Sequence, residues 1–206
     1  MIYVYQADTE KYRKEFILED LLQELPHNMH KRALRYKFEQ DAYNFVVGKL
    51  LLKRALENLG MKDQIESIAY QKNEKPFLEN IFFNISHSYN LVVCAITQAG
   101  NIGIDVEKEK SKNLKNFESY FTIIEWKEIM KAASPIQKFY WYWTRKESII
   151  KALGVNLSYL HEIEVDSTKN LFIENDKKWY LQDLKLNKPF IGAICSEVVI
   201  DEVIYL

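Results

Sequence analysis

The chain has 206 residues, of which 48% are hydrophobic and 14% aromatic, and its formal net charge is -1. That length accommodates one large domain or two of about 100 residues each, and so much apolar material excludes a disordered chain. The near-neutral charge argues against a nucleic-acid partner, and no apolar run reaches the roughly 18 residues that a membrane span needs.

Residues 2–6 read as a strand, and residues 1–5 do not resemble a secretory leader. Residues 10–25 carry apolar side chains at a helical period, Phe16, Ile17, Leu21, Leu22 and Leu25, and Pro26 ends the run. A long helix is expected over residues 28–59, with Leu34, Phe38, Ala42, Phe45, Val46, Leu50 and Ala55 as its inner face and Gly60 as its stop. Residues 65–70 read as a short strand and Asn73-Glu74-Lys75-Pro76 as a turn. Residues 81–86 and 91–97 form a hairpin around Tyr89-Asn90, and residues 98–101 turn the chain into a further strand.

In the second half, helical patterns fill residues 114–133 and 136–153. Ser134-Pro135 divides them, with Pro at a favourable first helical position, and Gly154 closes the second. Strands are expected at 161–166, 170–174, 178–186, 190–195 and 198–205. Each half thus runs helices first, then antiparallel strands, with 91–96 and 190–195 as counterparts. The fold class expected is α+β, two similar halves at 1–102 and 103–206 with the functional site in the cleft between them. Cys94 and Cys195 fall in apolar strand-like runs, as small buried hydrophobes of a reducing, cytoplasmic setting.

Gly103-Ile104-Asp105-Val106-Glu107 carries the chemistry. On a strand Ile104 and Val106 point one way and Asp105 and Glu107 the other, and Gly103 is expected to leave open space beside the carboxylates. Two carboxylates this close raise each other's pKa unless a cation lies between them. A hard divalent ion such as Mg²⁺ suits them, completed by water and phosphate oxygens. A solvated edge strand is the plainer alternative.

Trp143, Glu147 and Lys151 share a helix face at four-residue spacing, which makes Glu147 a third carboxylate or simply half of a surface ion pair. Asn84-Ile85-Ser86-His87-Ser88 crowds polar groups at a strand end. A Ser-His-Asp triad with Asp105 is discounted, because the adjacent Ser86 and His87 would face opposite ways. Lys75-Pro76 lies on a turn. Lys31 and Arg32 fall near the start of the long helix, where the dipole does not favour cations, so an anionic ligand is a candidate partner for them.

Lys75-Pro76, Phe83 to Ser88, Gly103 to Glu107, and Trp143-x-x-Lys146-Glu147-Ser148-x-x-Lys151-x-x-Gly154 follow one another in the order and spacing of the 4′-phosphopantetheinyl transferases. The chain resembles the longer, pseudo-dimeric surfactin-synthetase-activating (Sfp) type, and Glu39-Gln40-Asp41-Ala42 adds to the likeness. The resemblance implies transfer of the phosphopantetheine arm of coenzyme A to a serine of an apo acyl or peptidyl carrier protein, with release of adenosine 3′,5′-bisphosphate. It implies Mg²⁺ held by Asp105, Glu107 and Glu147 with the coenzyme A pyrophosphate. Lys75, Ser86 and His87 would hold the nucleotide end, Arg32 would meet its 3′-phosphate, and Lys151 the pyrophosphate. His87, Glu107, Glu147 and Lys151 are the candidate catalytic groups, with Glu107 or Glu147 as the base. Glu125 has a supporting role. A monomer is implied, with no nucleic-acid or membrane partner.

The acidic carrier would dock on a basic and apolar patch, for which residues 122–133, with Ile123, Ile124, Trp126, Ile129 and Met130, compete with a core role. The chain departs from the family at Gly154-Val155-Asn156-Leu157, where Gly-Lys-Gly-Leu is frequent, and at Tyr43-Asn44, where a His/Arg pair is. Two other readings remain at this level: a metal-dependent nuclease, which would need a basic groove, and a non-catalytic carrier-binding relative, which would have lost its carboxylates.

Overall fold

The computed structural model describes residues 1–70, 75–166 and 168–206. Its strands are β1 (Ile2–Asp8), β2 (Ala69–Tyr70), β3 (Pro76–Phe77), β4 (Phe82–Ser88), β5 (Leu91–Thr97), β6 (Ile102–Lys108), β7 (Leu171–Glu174), β8 (Lys177–Asp183), β9 (Phe190–Ser196) and β10 (Val203–Tyr205). Its α-helices are α1 (Thr9–Glu15), α2 (Leu18–Gln23), α3 (His27–Ala33), α4 (Glu39–Asn58), α5 (Ile123–Lys131) and α6 (Pro135–Leu153). The architecture is α+β. One four-stranded sheet runs β10-β1-β5-β4 and a second runs β6-β9-β8-β7. Each half has one long helix on its sheet: α4 covers the first and α6 the second. The expected counterparts, β5 and β9, each lie one strand in from the seam where the sheets meet. Between the sheets runs a shared core of Ile2, Val4, Val93, Ala95, Ile102, Ile104, Val106 and Ile194. Among the described residues no helix is long and apolar enough to cross a membrane.

The seam is closed by side chains. Strands β4 and β6 are the facing edges, and β6 turns amide N–H groups toward β4. Asn84, Ser86 and Ser88 stand two residues apart and therefore on one face of β4. Asn84 Oδ1 accepts from the Ile104 amide at 2.9 Å, Ser86 Oγ from Val106 at 3.4 Å and Ser88 Oγ from Lys108 at 3.0 Å. Polar residues at every second position of this motif thus do the work of a missing neighbouring strand.

Several expectations are corrected. The helix over 10–25 breaks at Phe16-Ile17, where the Phe16 carbonyl accepts from the Tyr43 hydroxyl at 3.0 Å. The long helix is two, with a break over 34–38. Leu34 and Phe38, expected inside, are exposed because they lie in that break. Neither break contains Gly or Pro, but Glu39 and Asp41 occupy the first turn of α4, where the dipole favours acids. Arg32 consequently lies in the last turn of α3, a favourable place for a cation, so the dipole gives no reason to seek an anion there. Residues 62–67 form a 3-10 turn before the two-residue β2. The expected turn at 73–76 falls largely outside the described residues.

Residues 114–120 are 3-10 rather than α. The strand expected at 161–166 is also absent. Ile163 and Val165 alternate into the core, but the Val165 amide donates to Glu125 Oε1 at 2.8 Å instead of to a strand. Strand β8 stops at Asp183. The last strand shortens to β10, which pairs in parallel with β1 and so belongs to the first sheet. Cys94 and Cys195 are both free and fully buried.

Candidate active site

Strand β6 alternates as its sequence demands. Ile102, Ile104 and Val106 are sealed in the core between the sheets, and Asp105 and Glu107 face a cavity of about 290 Å³. Helix α6 covers that face. It starts with Ser134 as N-cap and Pro135 in its first turn, and it stops at Gly154 in the left-handed region at φ 74°. Trp143, Glu147 and Lys151, one turn apart, all line the same cavity, as do Ser86 and His87 from β4. The site therefore sits at the seam and draws on both halves. Trp143 is held against Phe117, Tyr120 and Phe139 by ring contacts of 5.7 Å.

Gly103 does not open space for a ligand. A Cβ there would lie 2.1 Å from the Ser148 carbonyl oxygen and 2.4 Å from the Ala152 amide. The missing side chain is what lets α6 lie directly on β6, and that contact brings Glu147 and Lys151 over Asp105.

Lys151 Nζ bonds Asp105 Oδ1 at 2.6 Å and Ser86 Oγ at 3.0 Å. Ser86 Oγ in turn donates to Asp105 Oδ1 at 2.9 Å, and Ser88 Oγ donates to Glu107 Oε2 at 2.8 Å. Asp105 Oδ2 is buried and makes no hydrogen bond. A buried carboxylate oxygen without a donor is costly unless something positive fills the place. Among the described residues no three carboxylate, imidazole or thiol groups are already gathered as a metal centre. The donor set nevertheless suits a hard divalent ion: oxygen ligands only, one orphaned and buried, with three acids around one opening.

The charges feel one another. Burial, then the Asp105 charge, raise Glu147 to about 7 against the pull of Lys151, with Glu107 adding a smaller upward push. Burial also raises Glu107, partly offset by its bond from Ser88. His87 is lowered by loss of water around its ring and by the Lys151 ammonium. Its Nδ1 lies 3.4 Å from Asn44 Nδ2, so it points away from Ser86, and no Ser-His-Asp relay exists.

A pH dependence follows. The unfolded Glu147 ionises near its ordinary 4.5 and the folded one near 7. The folded state binds more protons between those values, so its stability falls as pH rises through that window. Glu147→Gln is expected to remove this fall and to raise the melting temperature of the free protein by a few degrees near pH 7.5, with little change near pH 4. Thermal melting across pH checks it, and a wild-type profile flat from pH 4.5 to 7 would contradict it.

Other expected residues lie elsewhere. Lys75 Nζ donates to the Ala152 carbonyl at 2.9 Å and helps cap the end of α6, outside the cavity. Arg32 is exposed, over the rings of Phe45 at 5.5 Å and Tyr70 at 5.6 Å. Glu125 is structural. It closes the capping box of α5 with Thr122, and its Oε2 pairs with Lys146 at 2.6 Å, both side chains fully buried. Asn44 was legible only as a departure, yet it is a hub. It accepts from Thr9 and Gln40 at 3.0 Å each and donates to the Tyr89 carbonyl at 2.9 Å, which fixes the hairpin and the back of His87. The signal was an Asn inside an apolar helical run, since a buried amide must find partners.

Comparison with known proteins gives the family. The model of the 4′-phosphopantetheinyl transferase superfamily matches residues 101–195, and that of the 4′-phosphopantetheinyl transferase N-terminal region matches residues 12–99. The 4′-phosphopantetheinyl transferase HetI of a Nostoc species is 30% identical over 190 residues, 86% of this chain and 80% of that protein. The 4′-phosphopantetheinyl transferase gsp of Aneurinibacillus migulanus is 35% identical over 174 residues, 79% and 71% of the two chains. The Sfp transferase of Bacillus subtilis is 31% identical over 134 residues, 62% and 59%. With a seam-borne acidic site, two similar halves and matches along both, the chain belongs to the 4′-phosphopantetheinyl transferases and is an enzyme of that family.

Proposed function

We propose that the protein moves the 4′-phosphopantetheine arm of coenzyme A onto a serine hydroxyl of an apo acyl or peptidyl carrier protein and releases adenosine 3′,5′-bisphosphate. Asp105, Glu107 and Glu147 would hold Mg²⁺, and the observation that carries this reading is the buried, undonated Asp105 Oδ2 beside two further acids. The ion, when bound, supplies positive charge to the pyrophosphate oxygens. Lys151, freed from Asp105, neutralises charge on the phosphate oxygens with its Nζ. The serine oxygen attacks the phosphorus that bears the arm, and the bond from that phosphorus to the nucleotide oxygen breaks. Glu107 or Glu147, both lining the same cavity, takes the serine proton on a carboxylate oxygen. The nucleophile belongs to the carrier, in keeping with Ser86 being committed to Asp105 and to the seam.

The first half, 1–102, would receive coenzyme A, with Ser86 and His87 at its pyrophosphate side and Arg32 and Lys75 toward the nucleotide. The second, 103–206, would supply the acids. Helix α5 divides its apolar residues: Ile129 is core, Trp126 packs on that core, and Ile123, Ile124 and Met130 are exposed beside Lys127 and Lys131. That exposed set fits an acidic, partly apolar carrier surface. A monomer in the cytoplasm is our reading of the enzyme's setting; the two buried free thiols fit the reducing compartment.

The test is incubation with coenzyme A, Mg²⁺ and apo carriers of both kinds, followed by the carrier's mass. A gain of one arm, lost when a chelator replaces Mg²⁺, is expected. No gain on any of several carriers would overturn the proposal.

A further inference from the structure

His87 lines the cavity of the acids, and a neutral imidazole can carry its proton on either ring nitrogen. A line of polar groups that starts at Arg13 on α1 decides which. A guanidinium only donates. Arg13 Nη1 lies 3.2 Å from Gln40, so Gln40 turns Oε1 to it and Nε2 inward. That Nε2 donates to Thr9 Oγ1 at 2.7 Å and to Asn44 Oδ1 at 3.0 Å. Asn44 is buried, and with its oxygen engaged on this side it turns Nδ2 to the β4–β5 hairpin. There it donates to the Tyr89 carbonyl at 2.9 Å. A carbonyl only accepts, so the far end of the line demands the same amide orientation as the near end. The second Nδ2 hydrogen is left for His87 Nδ1, 3.4 Å away. An amide N–H cannot accept, so Nδ1 is bare and the neutral ring carries its proton on Nε2. Among the described residues no hydrogen bond uses that Nε2.

We propose that Asn44 is a positioning residue for the transfer: it holds His87 in the tautomer whose Nε2–H donates into the cavity, to a phosphate oxygen of coenzyme A. The inference rests on the transferase reading, within which it assigns Asn44 and the protonation state of the ring. The other tautomer would aim the Nε2 lone pair at an anion and take the donor away. Gln40 and Asn44 stand one turn apart on α4. The helix of the first half thus reaches the reaction centre through an amide that acts on the ring and not on the substrate.

The experiment has two arms. Nitrogen NMR of the free enzyme at about pH 8.5, where His87 is neutral, reads the tautomer, with His87→Gln assigning the signals. Wild type should show a protonated Nε2 and a bare Nδ1. Asn44→Asp still accepts from Thr9 and Gln40 but has nothing to donate, so it should place a proton on Nδ1. The second arm is calorimetric titration of the metal-free enzyme with coenzyme A. Asn44→Ala should weaken binding roughly three-fold or more and His87→Ala roughly ten-fold. Adding Asn44→Ala to His87→Ala should cost less than about 1.5-fold further. A role confined to holding the hairpin would leave the tautomer unmoved and would weaken binding equally in both backgrounds. A wild-type ring protonated on Nδ1, an Asn44→Asp ring still bare there, or full additivity of the two alanine changes overturns the proposal. If the Asn44 variants do not fold, the wild-type spectrum decides, and a proton on Nδ1 overturns it. A wild-type enzyme that shows the expected tautomer yet does not bind coenzyme A overturns the transferase reading instead.

Discussion

Replacing Asp105 with alanine is expected to lower the rate of arm transfer at least about a thousand-fold while coenzyme A affinity changes less than about ten-fold. Asp105 is the most buried acid of the site, and one of its oxygens has no donor from the protein. Its other oxygen holds both Lys151 Nζ and Ser86 Oγ. The substitution therefore removes a metal ligand and unfixes the lysine assigned to the phosphate oxygens. Asp105→Asn preserves the shape and should be nearly as inactive, which separates loss of charge from loss of packing. Initial rates from carrier mass, with coenzyme A binding measured in parallel, decide it. Turnover near wild type in either variant would end the metal argument.

Gly103→Ala is expected to cost at least about 3 kcal/mol of stability, a fall of roughly 6–12 °C in melting temperature for a chain of this size. The added methyl meets main-chain atoms of α6, the Ser148 oxygen at 2.1 Å and the Ala152 nitrogen at 2.4 Å, and neither can rotate away. The helix must lift off β6, and Glu147 and Lys151 lift with it. Loss of activity at temperatures where the variant remains folded should accompany the loss of stability. A variant melting within 2 °C or so of wild type would show that the strand and helix are not in such contact.

What the sequence disclosed is local or periodic. The two-residue alternation of β6, the Pro135 start and Gly154 stop of α6, the hairpin at Tyr89-Asn90 and the common face of Trp143, Glu147 and Lys151 all rest on neighbours a few residues apart. Distant partners were not legible. Lys146 pairs with Glu125, 21 residues away, and nothing near Lys146 announces it. Val165 alternates like a strand but bonds a carboxylate. The helix breaks at 16–17 and 34–38 carry no Gly or Pro and are fixed by tertiary contacts such as Tyr43 to Phe16. Gly103 was visible as a glycine, but whether ligand or protein fills the space beside it depended on a helix 45 residues downstream.

The polar stitching between β4 and β6 ties the joining of the two sheets to the reaction centre. Asn84, Ser86 and Ser88 occupy the β6 amides that face β4. Two of those three side chains also steady the acids of the site. Removing the Ser88 hydroxyl therefore strips the Lys108 amide of its acceptor and Glu107 of its donor in one step, so a defect in the seam is felt at once by a carboxylate of the centre.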